Sequence, residues 1–288
     1  MEIILGKMAG FCGGVTNAVV KTEEQLETKK EIYCLGELTH NRQVMDELEK
    51  KGLIVVDEIE EIPEGKDVIF RAHGVPPKIY QKAKMRNLKV IDLTCPKVLK
   101  IHEQAQDYVE KGYFLFLIAE KKHPETIGTK GFAGDNSYII EEKQDISNAI
   151  AKLKESKKEK VAILAQTTFS MQKFDEFVEE IRKQLDLRIK LEVKKTICEA
   201  TKKRQEETKE IAKKVDYMII IGGKNSANTR KLYDISKELC SNAILIQTKE
   251  DLPKEIFKVN TIGVMAGAST PKKSIEEVIK KLKEEKVK

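Results

Sequence analysis

Three cysteines of this chain occupy the same kind of position, a turn between a short apolar run and a helical pattern. The turns hold Cys12, Cys95 and Cys198, which follow the runs Ile3–Leu5, Val90–Leu93 and 190–193. Pro96 comes directly after Cys95, and helices tolerate proline in their first turn. The cysteines are 83 and 103 residues apart, and 102 residues separate the last from the first across the chain ends. The sequence therefore predicts a threefold internal repeat with one cysteine in each repeat.

Strand and helix patterns alternate along the whole chain, which indicates parallel sheets with crossover helices. We expect an α/β protein of three pseudo-symmetric parallel-sheet domains, a trefoil around a central iron–sulfur cluster. The predicted boundaries are 14–96, 97–194 and 195–288. The third repeat lacks its last strand, and we expect residues 3–5, within the segment 1–13, to supply it. The run Val90–Leu93 is interpreted as a buried strand, and Gly128–Gly134 as a segment of small residues.

Composition excludes several classes of protein. The net charge of +6 is spread over helices that mix lysine and glutamate, and only 6% of the residues are aromatic, so the basic stripe of a nucleic-acid-binding protein is absent. The longest apolar run, Tyr113–Ala119, is far shorter than the ~18 residues that span a bilayer. The N-terminus has an acidic residue where a signal peptide has basic ones. We expect a cytoplasmic protein without a membrane partner.

Five cysteines in a cytoplasmic chain argue against a disulfide framework. Cys34 and Cys240 have apolar neighbours and are expected to pack in the core. Thiolates at the N-termini of helices are stabilised, and three of them suit an iron–sulfur cluster that keeps one iron open. A zinc site with three cysteines, or three buried thiols without a metal, are the alternatives.

Polar residues gather at the carboxyl ends of predicted strands, where open parallel sheets bind ligands. The residues are His40, His73, His123, Glu125, Thr167, Thr168, Ser226, Asn228 and Ser269. Hydroxyls, amides and histidines near helix N-termini are typical of an anion site, and we infer a diphosphate. Arg71 is interpreted as a structural ion-pair partner, and His102 as a solvated residue of a charged helix.

Glu125 is a carboxylate in this otherwise anion-binding set. A neighbouring cluster and phosphate would raise its pKa and make it a proton donor near neutral pH. The alternative is that Glu125 caps the turn that follows it.

The chain closely resembles the 4-hydroxy-3-methylbut-2-enyl diphosphate reductase family along essentially its whole length. The resemblance rests on ordered motifs that include Ala9–Val15, Thr39–Asn41, Arg71–Val75, Asp92–Pro96, His123–Glu125, Gln166–Thr168, Thr196–Thr201, Lys224–Ser226 and Gly267–Pro271.

This resemblance implies one 4Fe–4S cluster held by Cys12, Cys95 and Cys198, with one iron that lacks a protein ligand and binds the C4 oxygen of the substrate. It implies diphosphate binding by His40, His73, His123, Thr168, Ser226, Asn228 and Ser269. Ala227 is expected to belong to the same substrate-binding set through its backbone N–H. Glu125 and Thr167, with His123, would deliver protons. Two electrons from a ferredoxin-type or flavodoxin-type donor would remove water from the allylic diphosphate, in the last step of the methylerythritol phosphate route.

The chain departs from the family pattern at Ala227, where a second serine is common. We expect the missing hydroxyl to weaken binding by at most about 1 kcal/mol. The rival functions are a non-reductive enzyme of the quinolinate synthase kind and a non-catalytic sensor that binds a phosphorylated metabolite.

Overall fold

The fold is described from a computed structural model, which describes residues 1–284. The strands in chain order are β1 (Glu2–Leu5), β2 (Ile32–Leu35), β3 (Leu53–Val56), β4 (Asp67–Phe70), β5 (Lys89–Asp92), β6 (Phe114–Ile118), β7 (Ser137–Ile140), β8 (Lys160–Ala165), β9 (Lys190–Val193), β10 (Tyr217–Ile221), β11 (Ala243–Ile246) and β12 (Thr261–Ala266). The helices are α1 (Gly13–Thr28), α2 (Arg42–Lys50), α3 (Pro77–Met85), α4 (Pro96–Glu110), α5 (Pro124–Ala133), α6 (Asp145–Ser156), α7 (Met171–Gln184), α8 (Glu199–Ala212), α9 (Ala227–Leu239) and α10 (Lys272–Glu284). Short 3₁₀ turns cover Ile59–Glu61, Lys249–Asp251 and Lys254–Lys258.

The strands form three parallel sheets of four strands, which confirms the predicted α/β class. Sheet 1 has the order β3-β2-β4-β5, sheet 2 the order β7-β6-β8-β9, and sheet 3 the order β11-β10-β12-β1. All three share one topology, in which the first and third strands of the repeat lie in the middle and the fourth lies at an edge. Strand β1 pairs with β12 from Glu2 opposite Thr261 to Leu5 opposite Val264, so it completes sheet 3 as the sequence predicts.

Contacts divide the chain into two compact units. The first comprises Met1–Val20, Glu37–Lys51 and 199–284, and it contains sheet 3. The second comprises Lys21–Gly36 and Gly52–Cys198, and it contains sheets 1 and 2. The three domain boundaries expected from the sequence stay a prediction.

The middle strands are continuous apolar runs because helices cover both faces of each sheet. In β6 every residue is buried. Phe116 packs on one face in the cluster that includes α6 and α7, and Leu115 packs on the other in the cluster that includes α4. Within residues 1–284, no helix is long and apolar enough to cross a membrane.

The interpretation of Val90–Leu93 as a buried strand is wrong about its burial. Val90 lies on β5, an edge strand, and is 38% exposed, because an edge strand has a neighbour on one side only. The small-residue segment after His123 is mostly helix α5, and its glycines make room for neighbours: a Cβ on Gly131 would stand 2.3 Å from Cβ of Pro76. Both features depend on packing between distant segments, which a local pattern does not record.

Candidate active site

Each of the three repeat cysteines lies at the N-terminus of a helix, at the end of the loop that follows the edge strand of its sheet. Cys12 precedes α1, Cys95 is the N-cap of α4, and Cys198 precedes α8. None of the three forms a disulfide bond within residues 1–284, and all three are partly exposed. A helix N-terminus has unpaired N–H groups and a partial positive charge, which suit an anionic ligand.

The backbone around these cysteines is equivalent in the three repeats. The N–H of Cys12 donates to Ala268 O at 3.1 Å, that of Cys95 to Ala72 O at 3.0 Å, and that of Cys198 to Thr167 O at 3.0 Å. In each case the acceptor lies in the loop after the neighbouring third strand of the same sheet. This regular bonding supports the predicted threefold repeat.

The other two cysteines are buried, as expected of packing residues. Cys34 lies on β2, and burial raises the pKa of its thiol to about 12, although Arg71 acts in the opposite direction. The Arg71 guanidinium lies against Gly36, where a Cβ would stand 2.5 Å from Nη1. Sγ of Cys240 contacts Asn242 O at 3.2 Å.

In the second unit, Glu125 is 1% exposed in the first turn of α5 and is held by one residue of the loop after β8. The N–H of Thr167 donates to Oε1 at 2.6 Å, and the Thr167 hydroxyl donates to Oε2 at 2.5 Å. Burial raises the pKa of Glu125 to about 7, against the two hydrogen bonds from Thr167, which lower it. Because its carboxylate bonds with Thr167 rather than with its own helix, the capping interpretation is wrong. Glu125 is a carboxyl group that is partly protonated at neutral pH.

His123 is the N-cap of α5, and its Nδ1 accepts the N–H of Glu125 at 3.2 Å. A histidine that accepts at Nδ1 carries its proton on Nε2, which is then a donor. Its ring meets that of His73 edge to face, with 5.4 Å between the ring centroids and an interplanar angle of 88°. The second unit thus brings His73, His123 and Glu125 together from the ends of strands in two sheets.

Gln166 contacts the loop of Thr168 and was not among the site residues expected from the sequence. It is 4% exposed, its Oε1 accepts the N–H of Glu120 at 2.9 Å, and its Nε2 donates to the Thr168 hydroxyl at 2.7 Å. Because the Thr168 oxygen accepts this bond, its own proton is free to point toward a ligand. The signal in the sequence was the position of Gln166 directly after a buried strand.

In the first unit, the first turn of α9 and the loop after β12 carry buried polar side chains. Ser226 caps α9 through a bond from Thr229 N to its Oγ at 3.3 Å. Asn228 is 4% exposed, and neither atom of its side-chain amide has a partner among residues 1–284; the same holds for Oγ of Ser269, which is 7% exposed. Ala227 is buried beside them. Such atoms are costly to bury alone, and at a helix N-terminus they fit an anion.

His40 belongs to the same unit. A Cβ on Gly223 would stand 2.1 Å from His40 O, so the loop after β10 packs directly on the backbone of His40. Its Nδ1 lies 3.7 Å from a carboxylate oxygen of Glu37. The predicted diphosphate residues therefore form one set in each unit: His40, Ser226, Asn228 and Ser269 in the first, and His73, His123 and Thr168 in the second.

These polar residues follow the first and third strands of their sheets, and the cysteines follow the fourth. The loops after the first strands hold His40, His123 and Ser226, and those after the third strands hold His73, Thr168 and Ser269. A single positional rule thus accounts for these six residues and the three cysteines.

Comparison with known proteins finds one family, which matches nearly the whole chain. A model of the LytB protein family matches residues 3–283. The 4-hydroxy-3-methylbut-2-enyl diphosphate reductase of Aquifex aeolicus is 43% identical over 290 residues, covering 99% of this chain and 96% of that protein. The reductase of the same name from Clostridioides difficile is 40% identical over 281 residues, covering 97% and 98%.

Solved structures agree with the fold. The E-1-hydroxy-2-methyl-but-2-enyl-4-diphosphate reductase of Plasmodium falciparum matches with a TM-score of 0.90 at 33% identity, over 97% of this chain and 87% of that chain. A structure of (E)-4-hydroxy-3-methyl-but-2-enyl diphosphate reductase, described as the terminal enzyme of the non-mevalonate pathway, matches with a TM-score of 0.71 at 43% identity, over 99% and 100%. Family model, relatives and fold agree with the resemblance seen in the sequence, and the chain belongs to the LytB family.

Proposed function

We propose that the chain is an iron–sulfur reductive dehydratase that converts 4-hydroxy-3-methylbut-2-enyl diphosphate to isopentenyl and dimethylallyl diphosphate. The observation that carries the proposal is the buried Glu125, held by Thr167 and protonated in part at neutral pH. Its relatives are named as reductases of this diphosphate, and the solved relative is described as the terminal enzyme of the non-mevalonate pathway.

The reaction consumes two electrons and two protons. The bond between C4 and its hydroxyl oxygen breaks, and the oxygen leaves as water after it takes one proton. The second proton adds to one or the other end of the allyl group, which gives one or the other product. A proton donor with a pKa near the working pH serves such steps best, and Glu125 has that property.

Thr167 orients Glu125, and its hydroxyl relays protons from the Glu125 carboxyl group. Its hydroxyl and N–H fix both carboxylate oxygens, so the carboxyl group keeps one orientation. His123 is fixed in turn by the N–H of Glu125, and its Nε2 faces away from that bond as a donor. These three residues form our proposed proton-delivery set.

We propose that the diphosphate is bound by His40, His73, His123, Thr168, Ser226, Asn228 and Ser269. Supporting this, Asn228 and Ser269 are buried with polar atoms that lack partners within residues 1–284, and Thr168 has a hydroxyl proton to donate. Hydroxyl and amide groups bind a diphosphate through hydrogen bonds rather than through an opposite charge.

We propose that Cys12, Cys95 and Cys198 hold one 4Fe–4S cluster with one iron that lacks a protein ligand. Iron–sulfur dependence is a general property of this family. The donor set fits such a group, because three partly exposed thiols lie at helix N-termini and the other two cysteines are buried in the core. When bound, the cluster supplies the electrons and a Lewis-acidic iron.

The electron donor is proposed to be a ferredoxin-type or flavodoxin-type protein, and the reaction is proposed to take place in the cytoplasm. The class of electron donor follows from the family resemblance, and the cysteine usage fits a reducing compartment.

The test is an anaerobic assay with the cluster-loaded protein, the hydroxylated allylic diphosphate and reduced viologen dye. Dye oxidation that depends on the substrate, with both isoprenoid diphosphates as products, is the expected result. Absence of oxidation with a verified cluster would exclude the reductase and favour a non-reductive dehydratase or a sensor. For the ligands, Cys95→Ser should lose iron relative to Cys240→Ser, and a full complement of four irons in Cys95→Ser would exclude that assignment.

A further inference from the structure

His102 on α4 is a buried histidine. It is 2% exposed, and neither Nδ1 nor Nε2 forms a hydrogen bond with a residue in the range 1–284. Burial lowers the pKa of the imidazole to about 4, against an opposing effect of Asp92, so the ring is neutral at pH 7. The expectation of a solvated histidine is therefore wrong. A buried polar group without a partner is destabilising, and stability alone does not explain its presence.

The ring fills a narrow space between two backbone segments of the second unit. A Cβ on Gly74 would stand 2.5 Å from Cε1 of His102, and a Cβ on Gly128 would stand 3.1 Å from Nε2. The face of the ring stacks on Phe132, with 4.4 Å between centroids and an interplanar angle of 21°. The edge of the imidazole thus meets two glycines that leave it just enough room.

Those two segments carry residues of the proposed active site. Gly74 directly follows His73 in the loop after β4. Gly128 and Phe132 lie on α5, which begins after its N-cap His123 and carries Glu125 in its first turn. The His102 ring is therefore a spacer between the loop of His73 and the helix of His123.

Helix α4 touches the same loop a second time. Its N-cap, Cys95, donates its N–H to Ala72 O at 3.0 Å, and His102 comes seven residues later, about two turns along the helix. One rigid helix thus connects a proposed cluster ligand to both sides of the pair formed by His73 and His123.

We propose that His102 is a positioning residue, which sets the distance of the His73 loop from the N-terminus of α5. This proposal rests on the proposed function, because it requires that His73, His123 and Glu125 act on the diphosphate substrate. The neutral ring stacks on Phe132 and contacts two glycines, so the spacing between the two segments varies little. Small displacements of binding and reacting groups have large effects on turnover.

Three variants test the proposal in the cluster-loaded full-length chain. His102→Ala removes the spacer. Gly128→Ala keeps the ring and pushes on its Nε2. Leu153→Ala, on α6, truncates a side chain that is 1% exposed and lies outside the proposed site, so it is the control for core damage.

The readouts are kcat and KM with reduced viologen, the binding of inorganic diphosphate, iron per chain, and the thermal midpoint. We expect both site variants to weaken diphosphate binding and to lower kcat on the order of tenfold to a hundredfold, with iron per chain retained. Leu153→Ala should lower the midpoint at least as much while kcat and diphosphate binding stay close to wild type. If the site variants match the Leu153→Ala control in both quantities, His102 is only a core residue.

A second readout is independent of turnover. The chain has four histidines, so the ¹⁵N imidazole spectrum of labelled protein is simple. Gly128→Ala should move the signals of both His73 and His123, and Leu153→Ala should leave them in place. Unmoved signals would overturn the proposal. Lack of turnover in the wild-type protein would instead overturn the proposed function, and the spectrum would still decide the role of His102.

Discussion

Thr167 donates two hydrogen bonds to Glu125, one from its backbone N–H and one from its hydroxyl, and each reaches a different carboxylate oxygen. The two residues are 42 positions apart and lie after different strands of sheet 2. Burial and these bonds act on the pKa of Glu125 in opposite directions, and burial has the larger effect. The pair is thus a positioned acid whose proton is available near neutral pH.

Glu125→Gln should preserve the fold and diphosphate binding and lower kcat by roughly 10² to 10⁴, because the amide keeps the shape but cannot donate an acidic proton. The measurement is steady-state viologen oxidation with the cluster verified. Glu155→Gln, which changes an exposed carboxylate on α6, is the matched control. Wild-type turnover in Glu125→Gln would remove Glu125 from proton delivery.

Thr167→Val should shift the pH profile of kcat/KM. An acid must be protonated to act, so activity falls as the pH rises through the pKa of Glu125, which is about 7. The Thr167 hydroxyl lowers this pKa, and its loss should move the alkaline limb to higher pH while turnover decreases. Thr167→Ser keeps the hydroxyl and should keep the wild-type profile. A limb that moves to lower pH would contradict the assignment.

Glu125 should also make stability depend on pH. Its pKa rises from an ordinary 4.5 to about 7 in the folded chain, so its contribution is present below pH 4.5 and is lost as the pH rises through about 7. The loss amounts to about 3 kcal/mol on the scale of 1.4 kcal/mol per pH unit. Urea unfolding at pH 5 and pH 8 should show a smaller decrease for Glu125→Gln than for wild type. Equal decreases would mean that the folded pKa is not raised.

Arg204→Lys should loosen the proposed cluster site. Arg204 on α8 is 1% exposed and donates to Met8 O at 2.9 Å and Gly10 O at 2.8 Å, which holds the loop before Cys12. The ammonium group of a lysine cannot donate to both carbonyl oxygens in the planar geometry of the guanidinium group. We expect less iron per chain and faster loss of iron to a chelator, whereas Lys203→Arg, at an exposed neighbour, should behave as wild type. Normal iron retention in Arg204→Lys would contradict this role.

Ala227→Ser should strengthen substrate binding. Ala227 is the first residue of α9 and lies beside Ser226 and Asn228, so a hydroxyl there adds one donor to the proposed diphosphate set. One net hydrogen bond is worth about 1 kcal/mol, which corresponds to a KM roughly fivefold lower. Ala227→Val, which adds bulk without a donor, separates the hydrogen bond from packing. A KM that Ala227→Ser leaves unchanged would place this position outside the diphosphate set.

Much of the architecture could be predicted from the sequence because it depends on local patterns. The apolar runs, their turns and the positions of Cys12, Cys95 and Cys198 indicated three repeats and a parallel α/β fold. The incomplete third repeat indicated that the first strand pairs with the last, which β1 and β12 confirm. The residues His73, His123 and Glu125 were found because strand ends in parallel sheets carry ligand-binding loops.

What the sequence by itself determined was which segments form strands and helices and which side chains follow each strand. Only the tertiary structure decided which of these side chains meet, as Thr167 meets Glu125, and which faces of the helices become buried. His102 lies in a charged helix and appeared solvated, yet it is buried against two glycines from distant segments. The physical reason is that periodicity within a helix shows which residues share a face, whereas burial of that face depends on residues far away in the chain.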